Sequence, residues 1–106
     1  MKLAAEAYRL AKTMPKAEEY WLVSQLLRAA ASIPANIAEG HARGSRKDYA
    51  RFVSIARGSL AETETFLLLA TDIGILRAEL IKEPLSLCEE VSKMLTVLLN
   101  RLRENP

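Results

Sequence analysis

The chain has 106 residues, half of them hydrophobic, with four glycines and four prolines, which describes one packed domain and excludes a disordered chain. Aromatic residues make up only 6% and β-branched runs are missing, so helix is favoured over sheet. The formal charge of +2 is too small to argue for a nucleic-acid partner by itself.

Met1-Lys2-Leu3-Ala4-Ala5-Glu6 opens the chain with an acid where a signal peptide needs an apolar core. A first helix is expected over about 3–13, closed by Met14-Pro15. A second is expected from near Lys16 to Glu39, with Gly40 as its C-terminal glycine. A short basic loop, His41-Ala42-Arg43-Gly44, follows. Ser45 then reads as an N-cap with Asp48 three residues on, an acidic variant of the capping box. The third helix runs from there to about Ile73, where Gly74 ends it. The fourth covers about 76–103, and Pro84 either kinks it or marks the first turn of a second segment. These elements predict an all-α, up-and-down four-helix bundle in a single domain. No apolar run approaches the roughly 20 residues of a membrane span. With Cys88 as the lone cysteine, no internal disulfide is possible, and the cytoplasm is the expected compartment.

Helix two carries an apolar stripe of Leu22, Leu26, Ile33 and Ile37. Beside it lie Gln25, Ser32, Asn36 and Glu39, within about 60° of one another on the wheel, with Arg28 at the outer edge. Pro34 stands in the same segment, although a proline inside a helix costs roughly 3 kcal/mol. Polar groups bordering a core need partners. Arg28 is expected to pair with Glu62 or Glu64, and Asn36 to donate to the carbonyl that Pro34 leaves unpaired. Glu62 and Glu64 lie about 200° apart on a helix and cannot form a catalytic dyad. A buried polar network that fixes helix register is therefore the expected role of this strip, over a recognition or catalytic cluster.

On helix three, Phe52, Ile55, Ser59, Thr63, Phe66, Ala70 and Ile73 share one face, and Tyr49, Val53, Ala56, Leu60 and Leu67 an adjacent one. So wide an apolar arc fits either a helix central in the bundle or a helix with a second face toward a neighbouring subunit. A small bundle has little room for an enclosed helix, so Tyr49, Val53, Leu60 and Leu67 are expected at an oligomer interface.

Charge is unevenly spread. From His41 to Arg57 five cations face one acid, whereas from Glu62 to Glu90 seven acids face two cations. His41, Arg43, Arg46, Lys47 and Arg51 cluster at a helix N-terminus, where free N–H groups already favour anions. They are the candidate nucleic-acid-binding residues, set against a merely solvated loop. Aromatic stacking groups are sparse there apart from Tyr49, so binding by charge or shape is expected rather than sequence readout. One histidine and one cysteine cannot build a zinc or haem site, and no phosphate loop, dinucleotide fingerprint or nucleophile elbow is present. Cys88, among Leu85, Leu87 and Val91, reads as a buried apolar residue. No enzyme, metal or cofactor is expected.

Ser32-Ile33-Pro34-Ala35-Asn36-Ile37-Ala38-Glu39-Gly40 and Ala56-Arg57-Gly58-Ser59-Leu60-Ala61-Glu62-Thr63-Glu64 together resemble the signature of one four-helix-bundle family. It holds the 23S rRNA intervening-sequence proteins and the accessory variability proteins of diversity-generating retroelements. The resemblance runs from about Tyr8 to about Leu99, with departures at Thr63 and Thr65, where larger apolar residues are expected. It implies a ring-shaped homopentamer, RNA or DNA as ligand, and a reverse transcriptase as a candidate partner. The expected function is a non-enzymatic nucleic-acid-binding scaffold; the alternative is a structural protein-interaction ring with no nucleic-acid role.

Overall fold

Apolar residues at helical spacing fold each segment onto its neighbours. The computed structural model describes residues 1–14 and 20–104, and within them the chain forms α1 (Lys2–Thr13), α2 (Tyr20–Ala42), α3 (Arg46–Asp72) and α4 (Ala78–Arg103). Among the described residues there is no strand. Each helix packs on the next in sequence and α1 returns to α4, with no contact across the diagonals, giving a square up-and-down bundle of 50 × 21 × 18 Å. The expected start of helix two near Lys16 lies outside the described residues.

The core runs the length of the bundle through Leu3, Leu10, Leu22, Leu26, Ile33, Val53, Leu60, Leu67, Cys88, Leu95 and Leu99. Burying each large aliphatic side chain contributes about 1.5–3 kcal/mol. Val53, Leu60 and Leu67, expected at an oligomer interface, are 0%, 3% and 0% exposed inside the single chain, and Tyr49 is half-buried against the same core. The physical reason is that α3 is flanked by both α2 and α4, so its wide apolar arc is used twice within one chain. What α3 leaves outside is Ile55 and Leu68, followed by its exposed C-cap Ile73.

The ends of α3 follow local chemistry. The Ser45 hydroxyl accepts the Asp48 N–H at 3.1 Å, as its spacing predicts. At the other end Gly74 takes φ +82°, the Gly74 N–H reaches the Thr71 carbonyl and the Ile75 N–H the Ala70 carbonyl, which is a Schellman closure. Two boundary expectations are corrected. α2 runs through Gly40 to Ala42, so His41 and Ala42 are helical, and the residue in the left-handed region is Gly44 at φ +83°. Of the two alternatives for Pro84, the first turn of a second segment is excluded, because the proline lies buried inside the continuous α4.

Gly40 serves a different purpose from a cap. It is buried where α2 crosses α3, and a Cβ built on it would lie 2.6 Å from the Phe52 Cβ and 3.1 Å from the Tyr49 ring. Gly58, on the exposed side of α3, has nothing within 4 Å of the same position.

Cys88 is fully buried. Burial, and secondarily the nearby Glu64 carboxylate, pushes its thiol up to about 12 from 9.0. The folded state therefore holds this proton more tightly than the unfolded state. The resulting stability is complete below pH 9.0 and is lost as pH rises toward 12.

Gly40→Ala is expected to destabilise the bundle by about 1–2 kcal/mol through overpacking. Gly58→Ala should stabilise it by about 0.5–1 kcal/mol through helix propensity. Urea unfolding of both variants checks the opposite signs, and equal shifts would remove the tight crossing from the account. A thiol reagent at pH 8 should leave native Cys88 untouched and modify it stoichiometrically in denaturant. Above pH 9 a Cys88→Ala variant should lose stability less steeply than the parent.

Candidate nucleic-acid interface

The polar strip of α2 does not form one network; it divides into three pieces along the α2–α3 seam. Arg28 donates to Gln25 Oε1 at 3.0 Å and to Glu62 Oε2 at 3.3 Å. Both partners of the ion pair are about half exposed, 55% and 48%, so it contributes at most about 1 kcal/mol. Deeper in the seam, Asn36 Nδ2 donates to the Ser32 carbonyl and hydroxyl, both at 2.8 Å, and the Ser59 hydroxyl donates to the Ser32 hydroxyl at 2.8 Å. Asn36 thus serves Ser32 rather than the carbonyl freed by Pro34. The third piece is the exposed pair of Glu39 with Arg43 at 3.2 Å.

Glu64 belongs to none of these. It lies on the α4 side of α3, beside Leu68, Leu85 and Glu89, because two residues along a helix turn it about 200° from Glu62. Thr63, buried, returns its hydroxyl to the Ser59 carbonyl at 2.8 Å. That bond explains how a hydroxyl stands at a core position: its polar atom is satisfied within its own helix.

The cations gather at the end of the bundle where α2 ends, α3 begins and α4 ends. The Phe52 ring carries two guanidinium groups, Arg43 at 5.0 Å and Arg51 at 4.6 Å from its centre. Arg46 donates to the Arg101 carbonyl in the last turn of α4, and Arg103 donates to the Ser54 hydroxyl at 3.2 Å. Arg46, Lys47, Arg51 and Arg103 line an open groove between α3 and α4, with Ala50 and Leu102 at its floor and Glu104 on its rim. His41 lies edge-on to Tyr49, with ring centres 5.6 Å apart.

Arg103, and the Arg101 carbonyl that Arg46 reaches, are the members that sequence reading missed. The available signal was topological: in an up-and-down bundle the last turn of helix four must lie beside the first turn of helix three. Electrostatically the two groups of cations differ. Arg101 and Arg103 complement the negative end of α4, whereas Arg46 and Lys47 occupy the first turn of α3, where positive charge opposes the helix dipole. Asp48 offsets part of that opposition.

Reactive chemistry is thin here. The Cys88 thiol is buried and held protonated, and no group of three potential metal ligands occurs among the described residues. Nor is any helix among them long and apolar enough to cross a membrane.

The fold agrees with that of a similar protein of known structure. The chain resembles the crystal structure of a Bacteroides thetaiotaomicron protein of unknown function from the S23 ribosomal protein family. The two share 27% identity over 92% of each chain, with a TM-score of 0.82. No curated protein matches the chain. The family model for the 23S rRNA-intervening sequence protein matches residues 1–97, nearly the whole bundle. By that match the chain belongs to the 23S rRNA-intervening sequence protein family.

Proposed function

We propose that the protein is a non-enzymatic scaffold that grips the phosphate backbone of nucleic acid at the basic end of its bundle. The carrying observation is the gathering of Arg43, Arg46, Lys47 and Arg51 at one end of the bundle with Arg103, which is distant in sequence. Two of these cations sit at a helix start that bulk stability disfavours. A phosphate there meets guanidinium groups and the unpaired N–H groups of the first turn of α3 together. Binding of this kind reads charge and shape, releases counterions and weakens steeply with salt.

The proposal includes assembly as a homopentameric ring, in which repeated basic ends act together. The faces offered for assembly are those the chain leaves apolar outside, Ile55 and Leu68 on α3 with Ile73 just after it, and Leu80, Met94 and Val97 on α4. A second reading, a protein-interaction ring without nucleic acid, draws support from the partners that Arg43, Arg46 and Arg103 already have within the chain.

Fluorescence anisotropy of structured RNA, with light scattering on the same sample, separates the two. Combined Arg43→Glu and Lys47→Glu is expected to lower affinity at least about tenfold near physiological salt and to flatten its salt dependence. The subunit number should stay unchanged. Unaltered affinity would move the contact away from this end, and no binding at low salt would favour the interaction ring.

A further inference from the structure

Next to these cations, on the side of the end formed by α1 and α2, an open pocket of 360 Å³ is lined by Met1, Pro34, Ile37, Ala38, His41 and Tyr49. Its volume is that of a small-ligand site, roughly 300–1,000 Å³. Two rings shape it: His41 in the last turn of α2 and Tyr49 in the first turn of α3, with centres 5.6 Å apart and planes at 83°. Perpendicular rings make a corner. A flat group stacked on one ring presents its rim to the other, and both contacts are favoured geometries between π-systems. Pro34 and Ile37, half-buried, add apolar surface. The proline so unusual in a helix interior thus lends its ring to the pocket wall.

Cations stand close by in sequence and on the helix surface. Arg43 in the turn after α2 and Arg46 at the start of α3 stand at the same end of the bundle as the two rings, Arg43 over the Phe52 ring and Arg46 turned toward α4. A phosphate held by these guanidinium groups brings its own base toward the rings.

We propose that the His41–Tyr49 corner takes one unpaired nucleobase of a single strand whose phosphates lie on the basic end. The inference rests on the phosphate reading above and adds the ligand class. A base inside a duplex keeps both faces in its stack and cannot enter the corner, whereas a loop, bulge or free strand can supply one. Because every base offers a π-face, the corner selects unpaired over paired nucleotides without selecting sequence.

The test is direct titration of the whole protein with a short single-stranded RNA carrying one 2-aminopurine, beside a blunt RNA duplex with the same number of phosphates. The single strand should bind more tightly and its 2-aminopurine emission should be quenched. His41→Ala, at an exposed position, should weaken single-strand binding about five- to tenfold and relieve the quench while leaving duplex affinity unchanged. Tyr49→Phe, which keeps the ring beside Gly40, should bind the single strand as the parent does. The same strand made as DNA identifies the source of the base, and a His41-dependent quench with either sugar supports the corner. Equal affinity for strand and duplex, or no effect of His41→Ala, overturns the corner and leaves the phosphate reading standing. Failure of both RNAs to bind at low salt overturns the two together.

Discussion

The close crossing of α2 and α3 is the constraint on which the rest of the bundle depends. Gly40 removes the side chain that would hold the two helices apart, and Phe52 and Tyr49 fill the space. Two other ties fix the same pairing further along: the Ser59–Ser32 hydrogen bond, then the Arg28–Glu62 ion pair. The spacing between these ties follows the rise of two antiparallel helices, so they act in one register. Once α2 and α3 are set, α4 has a single groove to close against α3, and the shorter α1 fills the remaining side against α2 and α4.

The polar positions of this seam differ in worth according to depth. Arg28, Glu62, Glu39 and Arg43 are screened by water, and their ion pairs add little. Ser32, Asn36 and Ser59 are half-buried or buried and hydrogen-bonded to one another, each bond contributing about 1 kcal/mol net. Their larger influence is on specificity, since a slip of either helix would leave hydroxyls and an amide without partners in a place that water reaches poorly.

Much of this architecture is written in local pattern. The Ser45 cap, the Gly74 stop and the four apolar stripes depend on neighbours within a few residues, and such short-range chemistry is legible in a sequence. What depends on the partner helix is not. Gly40 looks like a helix stop because glycine commonly ends helices, yet its role is set by Phe52, twelve residues on and on another helix. The apolar arc of α3 looked too wide for one chain because two packing partners, α2 and α4, cannot be counted from α3 alone. Of the candidate site, the cluster from Arg43 to Arg51 was visible as a run of charge. Arg103 became part of it only when the bundle brought the chain's last helical turn alongside.

The uneven spread of charge acquires a direction once the chain is folded. The cation-rich segment from Arg43 to Arg57 and the last turn of α4 occupy one end of a molecule 50 Å long. The acid-rich stretch from Glu62 to Glu90 runs away from that end and back through the far turn. The two regions adjoin on α3 between Arg57 and Glu62, about 7.5 Å apart along the helix, so their fields overlap there and separate only toward the ends, beyond the Debye length of about 8 Å at physiological salt. At the far turn Asp72, Glu79 and Glu83 are matched among the described residues by Lys12, Arg77 and Lys82. The bundle is therefore asymmetric in what it offers to anions: one end concentrates cations, and the other presents balanced charges that neither attract nor repel strongly.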